Sequence, residues 1–414
     1  MRVAIVGAGV SGLVTAWLLH RHHEVTVFEA ADYAGGHTNT IDVDVGGRTL
    51  PVDTGFIVYN DRNYPNFERL LQTLGVPSQP SSMGFSVADA TGSFEYSSTS
   101  AAGLFATRRH LVDPSFHRML LDVRRFQLAA RKLLEADGGD ASLGEWLERQ
   151  RFSRQFVERL IVPQVSAVWS APPAQRWSFP ARFLAEFFDN HGMLSLRGRP
   201  QWRVVSGGSR RYVEALTSSL EHRVRLGTPA TSVGRHDDHV TIATPGRDPE
   251  RFDEVVFATH ADQALALLAD ASAAERQILS AIPYQRNDAV LHTDRRLLPR
   301  RRSAWASWNY HLREELDGPP AVTYHMNTLQ SLTADVEVCV TLNCTERIDP
   351  GKVIRKISYA HPIFTHAGLA AQRRVSQISG RNRTSYCGAY WGWGFHEDGV
   401  VSALRVAERF GARL

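Results

Sequence analysis

Apolar side chains run unbroken from Val3 to Val6, a short block rich in β-branched residues that predicts a buried strand. Gly7, Gly9 and Gly12 follow in G-x-G-x-x-G spacing, and Leu13 to His20 is apolar enough for a packed helix. Glu24 to Phe28 predicts a second strand that ends at Glu29. Strand, glycine turn, helix, strand and acid in this order predict a βαβ unit built for a dinucleotide. Gly7 allows the tight turn, Gly9 lets a pyrophosphate approach the backbone, and Gly12 brings the helix close to the strand. The phosphates would meet free N–H groups at the helix N-terminus. Glu29 would accept the ribose hydroxyls and repel a 2′-phosphate, which disfavours NADP. A leader or membrane anchor fits this N-terminus badly. Glycines and Ser11 interrupt the apolar run, and the polar "HRHHE" feeds straight into a strand. The expectation is a cytoplasmic chain.

The pattern then changes character three times. "IDVDVGGRTLPVDT" alternates around Gly46-Gly47 and predicts a hairpin that delivers Asp53, Thr54, Gly55 and Phe56 to a loop. "NYPNFERLLQTLGV" predicts an amphipathic helix closed by Gly75, and "MGFSVADATGSFEYSS" a hairpin turning at Thr91-Gly92. From Ala102 to Asn190 helical periodicity dominates, with Ser142 and Glu145 spaced as a capping box. From Gln201 the chain is mixed again. "QWRVVSGGSRRYVEALTSSL" and "FDEVVFATHADQALALLA" each read as strand, turn and helix, and two strands flank Thr228-Pro229-Ala230. "AWASWNY", "AVTYHMN" and "VEVCVTLNC" suit an antiparallel sheet. "TSYCGAYWGWGFHEDGVVSALRVAERF" reads as a strand, a glycine-rich aromatic loop and a helix starting near Glu397. The expected division is a discontinuous nucleotide domain (residues 1–75, 201–275 and 375–414) and a substrate lobe (76–200 and 276–374) carrying the helical insertion. The fold class is α/β, a Rossmann-like domain with a mixed antiparallel-sheet and helical lobe.

Composition narrows the chemistry. The 414 residues carry 47 basic side chains, of which only Lys132, Lys352 and Lys356 are lysines, and the formal charge is +4. No basic tail or nucleic-acid motif accompanies the arginines, so a nucleic-acid partner is not expected. Three cysteines (Cys339, Cys344 and Cys387) without a C-x-x-C suit a reducing compartment. "DRRLLPRRRSAW" mixes arginine with leucine and tryptophan. That composition suits an anionic membrane surface, although a solvated loop is the simpler account. "HRHHE" is better explained as a polar connection than as a metal site, so no metal is expected. "VSGGSRR" lacks the order of a nucleophile elbow.

The far end of the chain separates flavin from nicotinamide. A second glycine-bearing strand–loop–helix closes the sequence, where a nicotinamide enzyme would continue its βαβ series. "GAGVSGL", "FEAADYAGGHT", "VDTGFIV", "RLGTPATSV", "FDEVVFATHADQAL" and "GFHEDGVVSA" resemble the FAD-dependent amine oxidase and phytoene desaturase superfamily, of glutathione-reductase-like, amine oxidase-type fold. "GGHTNT", "SWNY", "YHMNTLQ" and "YAHPIF" add a likeness to a bacterial oxidoreductase group. That group is similar to the flavin domain of plant cyclopropane fatty acid synthases. The resemblance implies non-covalent FAD. Gly7, Gly9, Val10, Ser11 and Gly12 would line its pyrophosphate, and Glu29 with Ala30 its adenosine ribose. Gly35, Gly36, His37 and Thr38 would run beside the phosphates and ribityl chain, near Thr54, Gly55 and Phe56. Ala230 would contact adenine, with Ala258 and Thr259 close by. Gly388, Ala389, Asp398, Gly399 and Val400 would hold the ribityl and the pyrimidine edge of the flavin.

The chain departs from the amine oxidase pattern at three places. His37 stands where an arginine is usual, Tyr390 where an acid is usual, and the strand "QRNDAVLHTD" lacks the lysine that faces the flavin. The substrate is therefore expected to be apolar and lipid-like. Its pocket would be lined by Trp308, Tyr324, His361, Trp391 and Trp393, with Asn309, Asn327 and Gln330 orienting a head group. No general base stands out, which suits hydride transfer, a reaction that depends on positioning. An amine oxidase, a double-bond isomerase and a non-catalytic flavin subunit serving a lipid methyltransferase remain the alternatives, with peripheral contact at the inner membrane as an added expectation.

Overall fold

The strand Arg2–Val6 lies at the centre of a five-stranded parallel sheet. Glu24–Phe28 and Val224–Arg225 extend it on one side, Glu254–Phe257 and Thr384–Tyr386 on the other. Ala4, Ile5, Val27, Val255 and Val256 are fully buried, as the unbroken apolar runs require when both faces of a parallel sheet are covered. The helix Val10–Leu19 buries nine of its ten residues, because the C-terminal helix His396–Arg409 packs along it. A three-stranded meander (Ser232–Arg235, Val240–Ala243 and Glu250–Phe252) stands over the sheet. The structure is a computed structural model, and it describes residues 1–136, 141–169, 177–195, 198–313 and 319–414.

A seven-stranded mixed sheet forms the second body. Its order is Val353–Pro362, Tyr284–His292, Cys339–Leu342, Ala321–His325, Trp308–Leu312, Phe85–Asp89 and Glu95–Ser97. The hairpin Phe85–Asp89/Glu95–Ser97 joins in parallel through Trp308–Leu312, and the remaining pairs are antiparallel. The edge strand Val353–Pro362 has no counterpart in the sequence reading. It has only Tyr359 buried, so its side chains give no apolar alternation to read.

Helices cover this sheet. Pro114–Glu135, Leu143–Arg149, Val162–Trp169 and Ala181–Asn190 pack around Phe116, Phe126, Phe156, Phe187 and Phe188. The Ser142–Glu145 capping box is formed. Parts of the expected helical block, residues 137–140 and 170–176, lie outside the described residues. Val157–Ile161 is a single π-helical turn, a geometry that re-aims side chains and recurs at functional sites. The largest hydrophobic core lies between the helical lobe and the mixed sheet, a small one (Val290, Leu297, Ala321, Cys344 and Ile348) lies elsewhere on that sheet, and two more flank the parallel sheet.

Candidate functional site: a cavity joining the glycine cradle to an apolar gallery

A cavity of about 1470 Å³ begins at the carboxyl ends of the parallel strands and continues beneath the helical lobe. Its first end is lined by Gly7, Gly9, Val10, Ser11, Glu29, Ala30, Gly35, Gly36 and His37. Gly55, Phe56, Ala230, Ala258, Thr259, Gly388 and Ala389 complete this end. Segments far apart in sequence meet here because the central strands all end on the same side of the sheet.

The glycines are needed for different reasons. Gly7 has φ +105°, and a Cβ on it would stand 2.8 Å from the Ala258 carbonyl oxygen. A Cβ on Gly12 would lie 1.9 Å from the Gly7 carbonyl oxygen, so Gly12 sets the closeness of helix and strand without lining the cavity. Gly9 differs: a Cβ there would meet nothing within 4 Å, because it would project into the cavity. A Cβ on Gly36 (φ +60°) would lie 3.2 Å from the Gly9 Cα, so the second glycine turn packs closely on the first, and the Gly35 N–H donates to the Ala8 carbonyl at 2.8 Å. Glu29 accepts the N–H groups of Ala8 (2.7 Å) and Ala31 (2.9 Å), which fix its carboxylate at the rim of the cradle. His37 stacks on Tyr359 at 4.9 Å between ring centres, and its Nε2 is buried with no protein partner. Together a glycine-walled recess, a fixed carboxylate and an unpaired imidazole nitrogen suit a dinucleotide.

Other expected cofactor residues support the cradle from behind. The Thr38 hydroxyl bonds the Tyr212 hydroxyl and His396 Nε2 (2.9 Å), and Thr54 bonds the Asn39 carbonyl and the Tyr359 hydroxyl. A Cβ on Gly399 would lie 2.8 Å from Val10 Cγ1, and Ser11 Oγ donates to the Gly399 carbonyl at 3.0 Å. Val400 is fully buried in the core between these helices. Asp398 accepts the Phe395 N–H at 2.9 Å, and its burial pushes its pKa up to about 6.

The second end of the cavity is an apolar gallery. Leu120 and Val123 from the first long helix, Phe156, Leu160 and Ile161 around the π turn, and Trp169 and Phe187 line it with Phe364 and Trp393. Trp393 stacks on Phe183 at 4.4 Å, and Phe364 stacks on the same ring at 5.1 Å. Trp308, Tyr324 and His361 also line the cavity.

Four residues expected in the pocket do not line it. Asn309 ties Ser86, Ala306 and the Thr323 carbonyl inside the sheet, and Asn327 holds the Val336–Val338 backbone. Gln330 bonds the Asp53 N–H and carboxylate, and Trp391 is buried in a separate core. Polar residues within loops look alike in sequence whether they serve a ligand or the backbone. The helical-lobe lining was missed, although Leu120, Val123 and Gln127 share a helix face and could have been read as one stripe. In "DRRLLPRRRSAW", Leu297 and Leu298 are buried, and Arg296 and Arg301 pair with Asp294 and Glu95. The leucines of that segment are therefore not available for a membrane to cover.

The electrostatics of the cavity are weak. Glu29 is its sole carboxylate among the described residues, none of the three lysines lines it, and Arg199 and Arg286 are its basic residues. Burial, reinforced by neighbouring histidines, lowers the pKa of His37 and His260 to about 4 and of His361 to about 3, so all three are neutral at pH 7. Among the described residues no cluster of candidate ligands could hold a metal.

A dinucleotide cradle completed by a C-terminal strand–loop–helix and opening onto a buried apolar gallery defines a flavoprotein of the glutathione-reductase-like class. The chain belongs to the flavin-containing amine oxidoreductase family, whose model matches residues 10–317, and FAD is the cofactor its cradle fits. It is 28% identical over 257 residues to a putative flavin-containing monoamine oxidase of Mycobacterium tuberculosis, a match over 58% of this chain and 53% of the relative. The chain thus spans about half the length of the curated relatives it matches. Putrescine oxidase bound to putrescine shares the fold at a TM-score of 0.70 with 15% identity, over 99% of both chains. A CLA-producing fatty acid isomerase from P. acnes does so at 0.68 with 16% identity, over 99% of this chain and 98% of that one.

Proposed function

We propose that the protein is an FAD-dependent oxidoreductase that removes hydride from a C–H bond of an apolar, lipid-like substrate. One observation carries this reading: the space beyond the cradle is walled mainly by aliphatic and aromatic side chains and, among the described residues, holds no carboxylate that would attract an ammonium group. Bound FAD would supply a hydride acceptor at N5 of its flavin ring. The chain's part is to exclude water and hold a C–H bond in line with that acceptor. Trp169, Phe187 and Trp393, in ring-to-ring contact, and Phe156, packed on Phe126 and Phe152, provide the walls for this. The neutral histidines add no positive charge beside the cradle, which leaves Arg286 and Arg199 as the cations of the cavity lining. Tyr390, buried and lining the cavity, stands where the family's acid would be, and burial raises its phenol well above the ordinary value.

Amine oxidation is the second reading, favoured by the family match and by the mycobacterial relative. The test is anaerobic mixing of purified protein with mono-, di- and polyamines, fatty acids and phospholipid vesicles while flavin absorbance is followed. Bleaching by a lipid supports the proposal. Bleaching by an amine alone overturns it in favour of amine oxidation. A lipid product of unchanged mass without net bleaching would make the activity isomerisation, and no response to either class would favour an accessory subunit to a lipid methyltransferase.

A further inference from the structure

Large apolar side chains at the surface of a folded protein are usually scattered. Here four are concentrated in one short segment. Leu111, Val112, Leu121 and Leu128 are 56%, 82%, 65% and 46% exposed, and all belong to the helix Pro114–Glu135 or the turn that leads into it. Leu121 and Leu128 are seven residues apart and so share a helix face. His117, one turn before Leu121, sends Nε2 to the Leu111 carbonyl at 2.9 Å, which brings Leu111 and Val112 to the foot of the same stripe. Basic residues accompany the leucines: Arg108 and Arg109 precede Leu111, Arg124 lies between Leu121 and Leu128, and Lys132 follows one turn later. Arg108, Arg109, Arg124 and Lys132 are exposed, and among the described residues none of them forms an ion pair. The acids of this segment are less available: Asp122 is buried against Arg118 and Arg125, Asp113 caps the helix, and Glu135 lies at its far end.

The same helix has a second face. Leu120, Val123 and Gln127 line the gallery, so one helix thickness separates the exposed leucines from the cavity. We infer that this helix is a docking surface for the face of an anionic lipid bilayer. The leucines and Val112 would enter the acyl boundary while Arg108, Arg109, Arg124 and Lys132 meet the phosphates of the head groups. No described helix is long and apolar enough to cross a membrane, so this contact is peripheral. The inference stands apart from the choice between lipid and amine substrates, because it concerns where the protein sits and not what bleaches its flavin.

The test uses the full chain with FAD bound, sedimented with vesicles of phosphatidylcholine alone or mixed with phosphatidylglycerol. Two double variants accompany it: Leu121→Ser with Leu128→Ser, and Arg124→Glu with Lys132→Glu. All four positions are exposed, and circular dichroism and flavin absorbance would check that the fold is retained. The wild-type chain is expected to sediment with the mixed vesicles, and each variant to bind them at least about tenfold more weakly. Failure of the wild-type chain to bind mixed vesicles would overturn the inference, as would unchanged binding by both variants. So would a stable dimer in the absence of lipid that the leucine variant dissociates, since the stripe would then be a contact between two copies of this chain.

Discussion

Gly9 and Gly12 stand three residues apart in one motif, yet their substitutions should fail in opposite ways. At Gly9 the backbone is extended (φ −74°, ψ −178°), a conformation valine adopts readily, and a Cβ meets nothing within 4 Å. Gly9→Val should therefore leave the apo protein within about 0.5 kcal/mol of wild type, or stabilise it slightly by restricting the unfolded chain. The isopropyl group would instead fill the recess that a pyrophosphate needs. Losing that approach and its backbone hydrogen bonds should cost at least about 3 kcal/mol of binding, a hundredfold or more in affinity. Gly12→Ala places its methyl 1.9 Å from the Gly7 carbonyl oxygen and 3.1 Å from Ala258 Cβ. The first contact is with backbone, so helix and strand must separate by about 1 Å, and overpacking of this kind costs about 1–3 kcal/mol or more. Apo samples would be compared by chemical denaturation, and FAD affinity by quenching of flavin fluorescence on titration. Gly9→Val protein that binds FAD like wild type would refute the cradle reading. Apo instability equal to that of Gly12→Ala would refute the claim that its side chain enters empty space.

Acid precipitation should release all the flavin to the supernatant, since Cys387 does not line the cavity, bonds the Thr15 hydroxyl, and is pushed up to about 12 by burial; yellow pellets would disprove this. Anaerobic NADH or NADPH should not reduce the flavin stoichiometrically, because the sequence has one G-x-G-x-x-G and its cradle is committed to FAD; rapid reduction in a stopped-flow mixer would contradict it. Burial alone would raise the Glu275 carboxyl, but Arg235, the Tyr386 hydroxyl and Ser272 hold it down, from 4.5 to about 2. A depressed carboxyl stabilises fully above its unfolded value and loses that contribution as pH falls from about 4.5 towards 2. Glu275→Gln should cost about 3 kcal/mol or more in urea unfolding at pH 7, a deficit that narrows across that window; a constant deficit would exclude the linkage.

The cradle was legible because every part of it answers to a backbone requirement. Gly7 and Gly12 admit no side chain, the βαβ order places Glu29, and alternation about Gly46-Gly47 carries Thr54 to Phe56 to the loop between them. The gallery was not legible, since it is made of ordinary core residues that happen to leave space between them. Phe126 fills the helical core while lining the cavity, and nothing in its neighbours distinguishes the two duties. Trp391 and Trp393 show the limit most clearly. They flank one glycine in the same loop, but a short turn sends Trp391 into a core beside the parallel sheet and Trp393 into the gallery. Asn309 and Gln330 were misjudged for the complementary reason: the hairpin and loop they brace expose backbone groups that only the folded register reveals.

The bond from Ser11 to the Gly399 carbonyl joins positions 388 residues apart, and the sheet between them interleaves strands from early, middle and late in the sequence. During synthesis the first glycine turn leaves the ribosome long before its partners exist. At common elongation rates of about 5–20 residues per second it waits tens of seconds with its apolar strand and helix unsheltered. Loop closure over such a separation is slow, so the parallel sheet should be among the late events of folding. Because Gly9 and Ser11 line the same cavity as Gly388 and Ala389, FAD would bind only after the last segments arrive and would then hold the two ends of that separation together as a latch. Scarcity of flavin in the cell would consequently appear as loss of protein to chaperones and proteases before it appeared as loss of turnover.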